Sequence, residues 1–204
     1  SAQSMPVTLQ LRVLGGFEAA LIDAAGLPAR DGSIGDLPSA KTQALLAYLA
    51  CVRRRHSRDT LAAMFWGDSD EEAAKTSLRQ ALAALRKTFD PWLLIERDGV
   101  AFDVAAPYTL DVETLEHGAQ GDLAARRAAV AAYRGDLLKG FIVRNASAFE
   151  EWLIVERERL RHLAAGLLRQ LAEAGAFAGD FETASAHLRT LVSIDPLDES
   201  AHRQ

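Results

Sequence analysis

A single cysteine, Cys51, stands in the 204 residues. That excludes an intramolecular disulfide and suits a reducing, cytoplasmic setting. Cys51 lies in the apolar run LLAYLACV and reads as a small core residue. Apolar runs stay short, with none of membrane-spanning length, and no signal-peptide pattern is read. The five histidines, His56, His117, His162, His187 and His202, are scattered and never pair at metal-ligand spacing. There is no Gly-x-Ser-x-Gly elbow, no paired-cysteine motif and no phosphate-binding Gly-rich loop of the Walker type. These absences point away from an enzyme, and no cofactor or metal is expected.

Acidic residues are missing from one place that matters. From Ala73 to Phe89 there is no Asp or Glu, although the chain as a whole carries −5. The stretch Glu71 to Phe89 has Ala74, Leu78, Ala81, Leu82, Leu85 and Phe89 at helical spacing, which predicts one buried stripe. The other face carries Lys75, Thr76, Arg79, Gln80, Arg86 and Lys87. Residues Lys41 to Asp90 sum to +3, leaving −8 for the remainder. A basic face inside an acidic chain is compatible with contact to a polyanion, and also with a solvated helix face.

Around this helix the chain is organised in two parts. Val7 to Val13 alternates apolar and polar residues, as a half-buried strand does, and Phe17 to Ile22 resumes the pattern after Gly15-Gly16. A small antiparallel sheet is expected, with further short strands around Asp31-Gly32 and Gly35. Ser39 is placed to cap a helix over Ala40 to Val52, and Ser57 to cap a second that ends at Gly67. Asp68 or Ser69 is expected to cap the third. Pro91 ends that helix, and Trp92 to Val104 reads as a hairpin turning at Asp98-Gly99 through a type I′ turn. Sheet, three helices and hairpin is the order of a winged helix-turn-helix. Trp66 and Trp92 read as core. The segment Arg53, Arg54, Arg55 and Arg58 between the first two helices is read either as phosphate-contacting or as a solvated turn.

Beyond Pro107 no strand is expected. Val112 to His117, Asp122 to Tyr133, Phe149 to Ala174, Phe181 to Ser193 and Leu197 onward read as helices. Glu150, Glu151, Glu156 and Glu158 interleave with Arg157, Arg159 and Arg161 as a solvated, mutually paired face. Ala172, Gly179, Phe181, Ala184, Leu188 and Asp195-Pro196 resemble the second half of a tetratricopeptide repeat. The run PLDESAHRQ looks like the start of another helix, from which the natural chain is expected to continue. The expected fold is thus an α+β winged helix-turn-helix over residues 5–106, followed by an all-α tetratricopeptide-like domain over 107–204.

Together these segments resemble one family. LRVLGGFEA (Leu11 to Ala19), KTQALLAYLA (Lys41 to Ala50) and the run from Ser57 to Lys87, with the hairpin up to Val104, look like the DNA-binding domain of Streptomyces antibiotic regulatory protein-type activators. LDVETLE, YRGDLLKGF, EEWLIVERERLR and the run Gly179 to His202 look like a bacterial transcriptional activator domain. Val143 to Ala148 is additional to the family pattern. The resemblance implies a sequence-specific activator that binds promoter DNA, on direct repeats as a homodimer, and contacts RNA polymerase. In that reading Lys75, Thr76, Arg79 and Gln80 reach base edges, where Arg pairs with guanine and Gln with adenine. Arg86, Lys87 and Arg55 touch phosphate. Ser57 offers the capped amides of its helix, and Arg97 approaches the minor groove or backbone. The competing reading is a protein-interaction or signal-sensing scaffold whose winged helix binds no DNA.

Overall fold

The computed structural model describes residues 7–28 and 37–195. An N-terminal β-rich region leads into a helical C-terminal region. The expected strands around Asp31 to Gly35 and the expected helix from Leu197 lie outside the described residues.

Strands β1 (Thr8–Arg12) and β2 (Glu18–Ile22) pair antiparallel, Thr8 opposite Ile22 and Arg12 opposite Glu18. Helix α1 (Ala40–Val52) begins at Ser39, whose Oγ accepts from the Thr42 amide at 3.1 Å. It is buried almost all round, Ala44 to Cys51 without exception, so it lies inside the core. It ends at Arg53, in left-handed conformation with φ 52°. A two-residue strand, β3 (His56–Ser57), runs into α2 (Arg58–Trp66), which Ser57 caps by accepting from the Thr60 amide at 3.0 Å.

Helix α3 (Glu71–Phe89) buries Ala74, Leu78, Ala81, Leu82, Leu85 and Phe89, the stripe its periodicity predicts. Its cap is Asp70, not Asp68 or Ser69. Asp68 is engaged elsewhere and accepts from Ser147 Oγ at 3.0 Å. After a 3-10 turn over Asp90–Trp92, β4 (Leu93–Ile95) and β5 (Gly99–Phe102) form the hairpin, and β3 joins as a third strand along β5. The hairpin tip differs from the expected Asp98-Gly99. The Glu96 amide donates to Gly99 O at 2.8 Å and Ile95 faces Val100, so the two tip residues are Arg97 and Asp98. Neither has positive φ, so the turn is not type I′. Gly99 serves space instead: a Cβ there would lie 2.4 Å from Arg55 Nε.

The stretch after Pro107, where no strand is expected, holds one. Tyr108–Leu110 is a strand, β6, and it pairs parallel with β1, so the first sheet is mixed and ordered β2-β1-β6. Three residues with polar Thr109 at the centre carry too little alternation to register as a strand. Backbone pairing with β1 supplies what local pattern does not. The helices that follow are α4 (Asp111–Gly118), α5 (Leu123–Ala132), α6 (Ser147–Phe177) and α7 (Phe181–Ile194). Helices α4 and α5 cross closely at Gly118, where a Cβ would come 2.1 Å from the Ala129 methyl.

One hydrophobic core runs through both regions, from Leu9 and Leu45 to Phe149 and Leu160. Phe65 of α2 stacks on Phe149 of α6 at 4.7 Å, and Tyr48 of α1 meets Trp152 edge-on at 4.9 Å. The additional segment Val143 to Ala148 helps to seat this contact: Val143 and Ala146 are buried, and Ser147 holds Asp68. Asp111, 8 % exposed, accepts from the amides of Val13 and Leu14 at 2.9 Å each and so ties the end of β1 to α4. Arg53, read as contacting phosphate or lying in a solvated turn, is half-buried and engaged in ion pairs within the fold. It pairs with Glu113 at 3.1 Å and Glu116 at 2.7 Å, and Arg159 of α6 reaches the same Glu116 at 2.7 Å. Burial pushes the Glu116 carboxyl up, but the bonds from Arg159 and Arg53 outweigh it and hold the group below its ordinary range.

His56 is buried against the Tyr48 ring at 5.1 Å, and its Nε2 has no hydrogen-bond partner. Burial, then the nearby Arg54 charge, pushes its pKa below the ordinary value. A histidine held neutral in the fold binds its proton more readily once unfolded, so its penalty appears as pH falls below about 6.5. The expected result is that His56→Phe narrows the loss of stability between neutral pH and the region below pH ~6.5. Urea denaturation of both proteins on either side of that value checks it, and parallel curves would contradict it.

Candidate nucleic-acid interface

Helix α3 packs its apolar stripe on α2, α1 and β4, while α6 sits on α2, α4, α5 and α7. The polar face of α3 is therefore left to solvent. Two adjoining grooves border it. The first, about 360 Å³, lies between the start of α2, α3 and the hairpin tip, and its lining mixes the cations Arg58, Lys75, Arg79 and Arg97 with Ser57 and the acids Asp59 and Asp98. The second, about 280 Å³, shares Arg58 and Arg79 and continues along α3 to Arg86 and Ile95. Lys75, Arg79, Leu82 and Arg86 thus form one strip of the helix, spaced at three and four residues.

The charges in these grooves are not equivalent. Arg79 and Arg97 are exposed and have no partner among the described residues. Lys75 binds Glu71 Oε1 at 2.7 Å, one helical turn back, with Asp59 at 4.0 Å. That pair raises the Lys75 pKa, through the Glu71 hydrogen bond first. Being exposed, it is easily exchanged for another anion. Arg86 donates to Ile95 O at 3.2 Å and pairs with Asp90 at 3.3 Å, which braces α3 against β4. Arg58 Nε donates to Glu96 O at 3.0 Å.

Of the residues expected from sequence, Ser57, Lys75, Arg79 and Arg97 line the first groove and Arg86 the second. Thr76, Gln80 and Lys87 are exposed on the neighbouring strip of α3, line neither groove, and face outward. Arg55 stands apart. Its guanidinium pairs with Glu96 and with Asp98 Oδ1, the latter at 2.6 Å. Arg58, which sequence reasoning left undecided between phosphate and solvent, lines both grooves. Its place at the first position of α2 was the available signal, since that end faces the hairpin. Trp92 is core, donating from Nε1 to Pro107 O at 2.7 Å, and Trp66 is half-buried under Lys41 at 5.3 Å. Cys51 is buried and its thiol is pushed far up by desolvation, which suits a packing role.

Among the described residues no cluster of His, Cys, Asp and Glu could hold a metal ion, and no helix is long and apolar enough to cross a membrane. The cations of α2, α3 and the hairpin tip thus share one face beside the helical region. Residues 103–204 match the model of the bacterial transcriptional activator domain. The match takes in half of the chain, and the chain belongs to that family, which supports a role in bacterial transcription regulation. No curated protein matches the chain.

Proposed function

We propose that this protein is a sequence-specific DNA-binding activator of transcription in the bacterial cytoplasm. In this reading residues 5–106 form a winged helix-turn-helix and 107–204 a tetratricopeptide-like activator domain. Helix α3 enters the major groove, and the β4–β5 hairpin is the wing. The observation that carries the proposal is the unpaired Arg79 and Arg97 facing one groove across an acid-free helix face. Arg79, Thr76 and Gln80 present donors for base edges, with Lys75 beside them once it exchanges Glu71 for nucleic acid. Arg58, Arg86, Lys87 and the capped start of α2 at Ser57 meet phosphate. The sites are direct repeats of promoter DNA, occupied by a homodimer. The helical region contacts RNA polymerase, for which Phe177 and Phe181, both exposed at the α6–α7 turn, are suited.

Selection of bound fragments from random DNA, followed by titration in salt, tests this. The expected result is one enriched motif, with log K falling linearly in log salt by about 0.9 for each phosphate neutralised. No enrichment, or binding indifferent to salt, would favour a protein-interaction module instead.

A further inference from the structure

Arg55 lies just before β3, and the pairing of Ser57 with Gly99 brings it opposite the hairpin tip. Both terminal nitrogens of its guanidinium are occupied, one by Glu96 and the other by Asp98. These two carboxylates flank Arg97 in the sequence. The guanidinium also occupies the space beside Gly99, within 2.4 Å of where a Cβ would stand. Every hydrogen bond of this side chain therefore runs to one structural unit, the hairpin tip. Arg58, with its bond to Glu96 O at 3.0 Å, adds a second strap from α2.

We infer that Arg55 is a positioning residue: it straps the β4–β5 hairpin to the start of α2 and offsets the charge of the tip's two carboxylates, so that Arg97 is the one tip charge left without a partner in the fold. This rests on the DNA-binding reading for its consequence, but the strap itself does not need DNA. Without Arg55 the wing would carry two bare carboxylates around one arginine. A phosphate approaching Arg97 would then meet net repulsion, and the tip would lose its tie to α2.

The test uses the whole chain in four forms: wild type, Arg55→Gln, Glu96→Gln with Asp98→Asn, and all three substitutions together. Hydrogen exchange at the Glu96 and Val100 amides is read without DNA, and affinity is then read on the selected DNA. The strap predicts faster exchange in Arg55→Gln and weaker DNA binding. In the background lacking both carboxylates, Arg55→Gln has no further effect on affinity, because the acids it offsets are gone. Should Arg55→Gln weaken binding equally in both backgrounds, Arg55 touches phosphate itself and the inference falls. Unchanged exchange overturns it too. A wild-type chain that bound no DNA would sink the DNA-binding function, while exchange alone would still decide the strap.

Discussion

Arg79→Ala is expected to weaken binding to the selected DNA roughly tenfold to hundredfold, the discrimination of about 1–3 kcal/mol that one good arginine–guanine pair supplies. Arg79 is central to the proposed site because it lines both grooves and has no partner among the described residues. Its charge is therefore available without first breaking an ion pair. Adding Lys75→Ala should deepen the loss, since Lys75 sits one turn before it on the same strip. The fold should hold, because substitution of an exposed side chain away from caps and core usually moves stability by no more than about 0.5 kcal/mol. Arg189→Ala, on the exposed face of α7, is the matched control for lost charge and should bind as wild type. Fluorescence anisotropy on labelled DNA reads all three. If Arg79→Ala binds as tightly as wild type with its helical signal intact, α3 is not the reading element.

Phe149→Ala is expected to destabilise the protein by about 3–5 kcal/mol, the range for deleting a buried aromatic. Phe149 is fully buried, stacks on Phe65 at 4.7 Å and lies 5.6 Å from Trp152. Those partners belong to α2 and α6, so the cavity would open between the N-terminal helices and the helical lobe. For a domain whose whole stability is about 5–15 kcal/mol, that loss is large. Denaturation followed by far-ultraviolet circular dichroism measures it. The weld between the two regions also predicts that the wild-type protein unfolds in one transition. A loss below about 1 kcal/mol would mean that the aromatic stack is not a point of attachment.

Much of the fold was legible in the residues, and the reason is local. Helix α3 declares itself because an amphipathic helix must put its apolar residues on one side, and its six buried positions are those its spacing predicts. The caps Ser39 and Ser57 were readable because a hydroxyl just before a helical run satisfies an amide that the helix leaves free. The same logic failed at Asp70, where several neighbouring polar residues could each cap and only the path of the chain selects one. The parallel strand β6 escaped notice because its order comes from β1, about a hundred residues earlier, and not from its own pattern. Asp111 gave a fainter signal, a carboxylate between apolar Leu110 and Val112. Its partners are backbone amides, which no residue type reveals.

The charges divide in the same way. Sequence alone determined that a basic, acid-free helix face exists in an acidic chain, because charge count and helical period are properties of the order of residues. Only the tertiary structure decided which arginines are free to act. Arg53 and Arg55 are separated by one residue and are identical in type, yet Arg53 pins α1 to α4 through Glu113 and Glu116, and Arg55 closes on the hairpin acids. Arg79 and Arg97 keep their charge for solvent or a partner. An ion pair forms between groups that folding brings within about 4 Å, and that distance depends on the whole path of the chain.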